Sequence, residues 1–193
     1  MPEDAGDHAR TPQDVDQRPH APARGHGEGR QHRYPQAHAR DARGEARQLL
    51  GGRDITRAKV EAIARAGVAL VPEGRGIFGT LSVAENLVMA ARPGVSGNRS
   101  WTIERIYELF PRLHARRRNG GHQLSGGEQQ MLSIGRALMT NPDLLLIDEA
   151  TEGLAPLIAR DIWQTLDVIR REGVASIVVD KDVRALSKIA DRI

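Results

Sequence analysis

The chain has 193 residues, of which 39% are hydrophobic and 27% charged; this suits one ordinary soluble domain and excludes a two-domain enzyme and, for want of about 18 consecutive apolar residues, a membrane span. It has no cysteine, which excludes disulfides, thiolate-bound zinc and cysteine nucleophiles, so any site must use carboxylates, hydroxyls, amides or the backbone. The formal net charge is +3, with 25 Arg and three Lys scattered along the chain, which predicts only weak, salt-sensitive association with nucleic acid.

Residues 1–47 differ in composition from the rest of the chain. They contain no Leu, Ile, Phe or Trp but five of the ten prolines and five of the seven histidines. Without apolar surface to bury, such a segment cannot offset the entropy of ordering its backbone, so we predict that residues 1–47 are disordered. Four histidines recur every six residues, a spacing that chance within a biased composition explains better than a metal site: His20, His26, His32 and His38.

From residue 48 on, apolar runs alternate with Gly and Pro, which is typical of an α/β protein with βαβ units. In chain order the patterns predict a helix over 56–64 with Thr56 as N-cap, a buried strand over 68–71, a helix capped by Ser82 and one amphipathic helix over 103–113. They then predict a helix over 124–139, an apolar strand over 144–147, an amphipathic helix over 158–171, a last buried strand over 176–179 and a final helix. The predicted domain therefore covers residues 48–193.

The start of the helix predicted over 124–139 carries a candidate anion site. Ser125 and Glu128 have the spacing of a capping box, in which each side chain satisfies a backbone N–H of the first turn. Gly126 and Gly127 are unfavourable inside a helix, but they leave backbone N–H groups that a large anion can approach closely. Together with the helix dipole and the Ser125 hydroxyl, these groups predict a site of phosphate size.

The apolar strand predicted over 144–147 ends in two adjacent carboxylates, Asp148 and Glu149. Ligands gather at the carboxyl edge of a parallel sheet, so these acids are placed to meet a metal ion and a phosphate. Neighbouring residues at a strand end point in different directions, which permits different roles. A strand that simply stops at a polar turn has the same pattern, so the residues alone leave both interpretations open.

Two of these strings resemble motifs of the ABC-transporter ATPases. Residues 124–130, LSGGEQQ, are similar to the signature motif of that family, and residues 144–149, LLLIDE, are similar to its Walker B motif. Ser125 and Asp148 are 23 positions apart, and the segment between them has room for one helix and an Asn-Pro turn, which is the layout of the same family. The resemblance therefore favours the functional interpretation of both strings.

A third string is similar to one subfamily, the ATP-binding subunits of branched-chain amino acid importers. Residues 71–75, VPEGR, stand where the family has its Q-loop, with Glu73 in place of the usual Gln. Residues 85–87, ENL, and residues 153–156, GLAP, are also similar to this subfamily. Together the similarities cover about residues 50–193.

The resemblance implies an α/β fold: a P-loop NTPase-like ABC ATPase domain, incomplete at its N-terminal part, with a parallel sheet core and a helical subdomain at about residues 80–122. It also implies ATP and Mg²⁺ as cofactors. The implied site residues are Ser125, Gly126, Gly127, Gln129 and Glu73 for the nucleotide, Asp148 for Mg²⁺, usually through water, and Glu149 for polarising the attacking water.

The resemblance further implies the partners of the chain. Two such subunits bind head to tail, so that the signature of one caps the ATP held by the other, and membrane permease subunits contact the region of Glu73 and residues 80–122. We therefore expect a cytoplasmic chain, held at the inner face of the cell membrane by permease subunits, with no nucleic-acid partner. Lys181 stands nearest the place where many relatives have a phosphate-contacting His, and a solvated charge explains it equally well.

The family's phosphate-binding loop, Walker A, is not recognisable in this sequence. That loop needs a glycine followed by lysine, and none of the three lysines follows a glycine. Its place corresponds to residues 1–47, and one hypothesis is that this part is read out of frame. We therefore predict weak or no ATPase activity for the isolated chain.

The lack of a recognisable Walker A loop also favours an alternative function. A non-catalytic companion could use its signature to complete the site of an intact ABC ATPase. An ABC-like DNA-repair ATPase is a further alternative, although the chain lacks the sustained heptads of that group's coiled coils. A basic nucleic-acid binder has only charge in its favour.

Overall fold

The computed structural model describes residues 39–40 and 46–193 of the chain. In this part the backbone forms seven strands, of which the last three make the central sheet. They are β1 (Ala39–Arg40), β2 (Ala46–Arg47), β3 (Leu49–Leu50), β4 (Arg53–Asp54), β5 (Val68–Val71), β6 (Leu144–Asp148) and β7 (Ala175–Val179).

The described part also has seven α-helices, and a short 3₁₀ turn at Gly121–Gln123 precedes the fifth of them. Four short helices and this turn lie before α5, and two helices follow β6. The helices are α1 (Val60–Arg65), α2 (Val83–Ala90), α3 (Ile103–Leu109), α4 (Pro111–Ala115), α5 (Gly126–Leu138), α6 (Pro156–Arg171) and α7 (Val183–Ile189).

The central sheet is parallel, in the order β5-β6-β7. Val71 pairs with Ile147, and Ile147 pairs with Val178, so the three strands end at the same edge. Two parallel strands that follow each other in the chain need a long crossover connection, which is usually helical. Here α2–α5 connect β5 to β6, and α6 connects β6 to β7. The predicted α/β fold with a parallel sheet core is confirmed.

The core lies between one face of this sheet and helices α5 and α6. On the sheet side it contains Val71, Leu145 and Ile147, all buried. The apolar stripes of both helices supply the other side, as the amphipathic patterns predict. Their buried members are Met131, Leu132, Ile134 and Leu138 on α5 and Ile162, Leu166 and Ile169 on α6.

The prediction of a last buried strand is wrong in its burial. β7 forms, but it pairs only with β6 among the described strands, and the side chains of Ile177 and Val179 are 45% and 59% exposed. Leu70 lies in register with Leu146 and Ile177, on the same face, and is 59% exposed. An apolar run shows that a strand is compatible with burial on both faces, but it does not supply the element that covers the second face.

Two helix predictions also need correction. The helix predicted over 103–113 is two helices, because Phe110 leaves the helical conformation and Pro111 begins α4, where its missing N–H is not needed. Thr56 does not cap α1, which begins at Val60; its hydroxyl instead accepts a hydrogen bond from the backbone N–H of Gln48 at 2.8 Å.

The segment predicted to be disordered falls mostly outside the described residues, as do His20, His26, His32, His38 and the hypothesis of an altered reading frame. Two short strands inside that segment are described, β1 and β2, which pair antiparallel with each other. Within residues 39–40 and 46–193, no helix has the length and apolar character needed to span a membrane.

Candidate functional site

Three carboxylates converge at the carboxyl edge of the sheet. Glu73 lies two residues after Val71, and Glu149 lies two residues after Ile147, the residue that pairs with Val71. One carboxylate oxygen from each of these two residues and one from Glu152 lie within 4.8 Å of one another. We call Glu73, Glu149 and Glu152 the acidic group. Like charges at this separation repel one another, so the arrangement favours a cation among them.

Glu149 is held in an unusual backbone conformation. Its φ is +51°, in the left-handed region that non-glycine residues seldom adopt, while its N–H donates to the carbonyl of Val179 at 2.8 Å. The half-buried side chain has one carboxylate oxygen, Oε2, that is shielded from solvent and accepts no hydrogen bond from the described residues. An orphaned buried oxygen is costly unless a ligand or water satisfies it.

The donor set fits Mg²⁺. This ion takes oxygen ligands, usually one or two carboxylates together with waters and substrate phosphates, and the acidic group offers carboxylates with an unsatisfied oxygen among them. Asp148, which the resemblance implies for the metal, is the exposed last residue of β6 and is not a member of the group. The structure thus brings Glu73 and Glu149 together and leaves Asp148 beside them on the sheet edge.

Glu152 is a site residue that sequence reasoning missed. Its carboxylate accepts a 2.5 Å hydrogen bond from Lys181 Nζ, and this contact raises the pKa of the Lys181 ammonium. Asp180 also joins the segment after β7 to the turn after β6, because its Oδ2 accepts hydrogen bonds from the N–H and the hydroxyl of Thr151, both at 2.9 Å. No local pattern marks Glu152, since its role depends on the pairing of β6 with β7. Lys181 is therefore an ion-pair partner of the acidic group.

The candidate anion site at the start of α5 has the predicted cap. Glu128 N–H donates to Ser125 Oγ at 3.3 Å, and Glu128 Oε2 accepts from Ser125 N–H at 2.8 Å and from the Ser125 hydroxyl at 2.9 Å. Ser125 is exposed, and Gly126 is half-buried. We call Ser125, Gly126 and Gly127 the helix tip.

Gln129, predicted to bind nucleotide, makes its amide bonds within the chain. Its Oε1 accepts from Arg75 Nη1 at 3.1 Å, and its Nε2 donates to the carbonyls of Gly121 and Leu124, both at 3.3 Å. Arg75 lies only two residues after Glu73. The helix tip and the acidic group are therefore linked through the turn that carries both Glu73 and Arg75.

Comparison with known proteins identifies relatives of this chain. The family model described as "ABC transporter" matches residues 36–152, beginning inside the segment predicted to be disordered. Solved structures share the fold. A nucleotide-free ATP-binding cassette from an ABC transporter superposes with a TM-score of 0.61 at 24% identity, covering 76% of this chain and 64% of the other. A dimeric cassette bound to ADP and Pi has a TM-score of 0.57 at 25% identity and covers 73% and 65%.

Two curated proteins illustrate the sequence similarity. The chain is 42% identical over 158 residues to the high-affinity branched-chain amino acid transport ATP-binding protein BraG of Pseudomonas aeruginosa, covering 82% of this chain and 65% of BraG. It is 33% identical over 148 residues to the lipopolysaccharide export system ATP-binding protein LptB of Escherichia coli K12, covering 75% and 61%. The chain thus spans between three fifths and two thirds of the length of these relatives.

Proposed function

The chain belongs to the ABC transporter family, and on that premise we propose that it is the ATP-binding subunit of an importer that couples ATP hydrolysis to the uptake of branched-chain amino acids. The observation that carries the proposal is the convergence of Glu73 and Glu149 at the sheet edge, joined through one turn to a glycine-containing, capped helix tip. The substrate class is supported by the similarity to BraG, whose name describes branched-chain amino acid transport.

In this proposal Glu149 acts on the attacking water. A carboxylate within hydrogen-bond reach of the water orients it and accepts its proton as the bond to the terminal phosphate forms. The unsatisfied Oε2 of Glu149 is available for that hydrogen bond. Asp180 keeps the turn after β6 in place through Thr151, so that the carboxylate of Glu149 stays at the sheet edge.

Glu73 and Glu152 would present oxygen ligands for Mg²⁺, with the neighbouring Asp148 as a further carboxylate for the ion. Mg²⁺ bound with ATP supplies neutralisation of the phosphate charges. Lys181 holds the Glu152 carboxylate, which limits the repulsion inside the acidic group before the ion binds.

The helix tip binds phosphate oxygens of a nucleotide held by a second ATPase subunit. The exposed Ser125 hydroxyl and the first N–H groups of α5 are the donors, and the helix dipole adds a favourable field. Gln129 contributes by fixing the position of the tip. The proposed assembly is therefore a pair of ATPase subunits, identical or different, arranged head to tail.

The membrane partner is proposed to be a pair of permease subunits that contact the region of Glu73 and residues 80–122, which places the chain at the cytoplasmic face of the cell membrane. Exposed apolar side chains on α2 support this contact: Val88 is 61% and Met89 54% exposed. Exposed neighbouring apolar residues of this kind are typical of protein interaction sites.

The test is reconstitution of the full chain in vesicles with the permease subunits and a second ATPase subunit of a branched-chain amino acid importer. We expect ATP-dependent uptake of labelled leucine, and Glu149→Gln should lower it by about a hundredfold or more if this chain hydrolyses ATP. Glu61→Gln, on the exposed surface of α1, is the matched control and should leave uptake unchanged. Uptake of another solute in place of leucine would contradict the substrate class.

A second candidate function, the non-catalytic companion, is favoured by one observation: the helix tip is complete, yet no lysine of this sequence follows a glycine. In that case Glu149→Gln leaves the ATPase rate of the assembly unchanged, whereas Ser125→Ala lowers it. Titration of the isolated chain with Mg-ATP separates the two candidates further, because tight binding by the chain alone contradicts the companion.

A further inference from the structure

Arg75 adopts a backbone conformation that a glycine would adopt more easily. The turn Pro72–Arg75 closes with a 2.9 Å hydrogen bond from Arg75 N–H to the Pro72 carbonyl, and the φ of Arg75 is +61°. A long side chain in this left-handed region costs free energy that glycine does not incur. A side chain kept there at that cost needs an explanation in its own contacts.

The guanidinium of Arg75 lies over the first turn of α5. Its Nη1 donates to Gln129 Oε1 at 3.1 Å, and its Nη2, Nη1 and Cζ atoms are 3.2–3.5 Å from the position of a Cβ on Gly126. Gln129 is fixed from its other end by the carbonyls of Gly121 and Leu124. The side chain of Arg75 thus contacts both Gly126 of the helix tip and Gln129.

Other contacts hold the rest of this segment but do not reach the helix tip. Arg136 donates to the carbonyl of Gly76, and its guanidinium lies 4.5 Å from the centre of the Phe78 ring. Arg136 is ten residues beyond Gly126, which is about 15 Å along α5. Asn86 binds the N–H and carbonyl of Phe78 from α2. Gly79 and Leu81 accept hydrogen bonds from the backbone of the turn before α5, at His122 and Gly121. These contacts anchor residues 76–82, and the direct contact between this segment and Gly126 is made by Arg75.

We propose that Arg75 is a positioning residue that couples Glu73 to the helix tip, acting through Gln129. Glu73 and Arg75 share one tight turn, so a displacement of the Glu73 carboxylate moves the guanidinium, and the guanidinium moves Gln129 and the first turn of α5. The use of this link rests on the proposed function, in which a ligand at the acidic group aligns the tip with the nucleotide of the second subunit. The link itself is a property of the chain without nucleotide.

The experiment is solution NMR on the full chain without nucleotide. In the wild-type background, Glu73→Gln relieves repulsion in the acidic group and should shift the backbone amide signals of the helix tip and the side-chain amide signals of Gln129. In an Arg75→Gly background the same substitution should shift these amide signals by about half as much as in the wild type, or by less. Arg75→Lys should restore part of the response, because an ammonium can still donate to Gln129 Oε1.

The matched control is Arg116→Gln. Arg116 Nε lies 3.6 Å from Glu128 Oε1, so this arginine is also near the tip, but it is not on the Glu73 turn. The response to Glu73→Gln should survive this control. A purely structural role for Arg75 predicts a lower Tm for Arg75→Gly, whereas we expect an equal or higher Tm because glycine relieves the left-handed conformation.

An equal response of the tip in the wild-type and Arg75→Gly backgrounds would overturn the proposal, as would the absence of any response in the wild type. If Arg75→Gly does not fold, Arg75→Gln replaces it, since glutamine removes the charge and keeps a side chain. Because no nucleotide is present, failure here leaves the transport proposal untouched, and failure of leucine uptake leaves this coupling untouched.

Discussion

Gly126 and Gly127 are neighbours in the first turn of α5, yet their surroundings differ. A Cβ on Gly127 would lie 2.4 Å from Cγ2 of Ile158 on α6, whereas a Cβ on Gly126 would meet the guanidinium of Arg75 at 3.2 Å. Close packing of α5 on α6 therefore explains Gly127 by itself. The sequence-based explanation, backbone N–H groups left accessible to an anion, remains a prediction and applies best to the half-buried Gly126.

Gly127→Ala should destabilise the chain. The clash with Ile158 costs about 1–3 kcal/mol, which exceeds the gain of about 1 kcal/mol from the higher helix propensity of alanine. Urea unfolding followed by tryptophan fluorescence measures the difference. Gly126→Ala is the control, and its free energy of unfolding should be unchanged or higher, because the flexible Arg75 side chain can move. Equal losses in both variants would contradict the packing explanation.

Asn141 joins the loop between α2 and α3 to the end of α5. It is buried at a φ of +50°, its Oδ1 accepts from Trp101 N–H at 2.7 Å, and its Nδ2 donates to the carbonyl of Arg92 at 2.9 Å. Asparagine suits this position because it tolerates the left-handed conformation and supplies both a donor and an acceptor.

Replacement of Asn141 should separate these two contributions. Asn141→Gly keeps the conformation but leaves buried backbone groups unpaired, so the free energy of unfolding should fall by about 1–3 kcal/mol. Asn141→Ala should lose about 1 kcal/mol more, because alanine is strained at positive φ. Asn98→Ala, which removes one weak bond of 3.5 Å to Ser100, should change the free energy of unfolding little. Calorimetry of the four proteins checks the order.

At the scale of the elements, α2 and α5 begin in the same way. Each has a serine N-cap and a glutamate three residues later that closes a capping box. In α2 the hydrogen bonds from the Ser82 hydroxyl and N–H stabilise the charged carboxylate and lower the pKa of Glu85 below 4.5. A lowered pKa in the folded state makes a contribution to stability that is present above pH 4.5 and is lost as the pH falls through the folded-state pKa.

Glu85→Gln should therefore lower stability near neutral pH, and its difference from the wild type should narrow as the pH falls. The urea midpoint measured between pH about 6 and about 3.5 follows this difference. Glu61→Gln is the matched control, since Glu61 also lies in a first helical turn but α1 has no side-chain cap. A difference that stays constant with pH would contradict the role of the Glu85 charge.

At the scale of the whole molecule, one face of the central sheet packs against the core. The other face, which we call the open face, is covered only in part, since Val68 and Leu144 lie on it and are buried. Leu70, Ile177 and Val179 present exposed apolar side chains on the open face within the described part of the chain. Exposed apolar strands at a sheet edge favour association between chains and bind apolar dyes.

Ile177→Thr should reduce ANS fluorescence and increase solubility, while the free energy of unfolding changes by no more than about 0.5 kcal/mol. Threonine keeps the β-branched shape of isoleucine, so the strand itself is preserved. Val178→Thr, on the opposite and half-buried face of the same strand, is the control and should lower the free energy of unfolding by about 1 kcal/mol or more. Dye binding that is unchanged in Ile177→Thr would show that this face is not the exposed apolar surface.

The sequence by itself determined the local features of the protein. The sequence predicted the apolar runs of β5 and β6, the serine cap of α2, the capping box of α5 and the glycines of the helix tip, because each depends on residues within one or two turns or along one strand. The similarities of residues 71–75, 124–130 and 144–149 to known motifs also indicated the family from the sequence. The break at Pro111 was readable in principle, since proline at the first position of a helix is a local signal.

The tertiary structure alone decided which of these features meet. The acidic group exists because β5 and β6 pair in register, and because Asp180 and Lys181, which follow β7, hold the turn that carries Glu152 beside Glu73 and Glu149. The bond between Arg75 and Gln129 joins residues 54 positions apart. The exposure of β7 was also decided by packing. An apolar sequence permits a strand to be buried, but only the arrangement of neighbouring elements determines what packs against it.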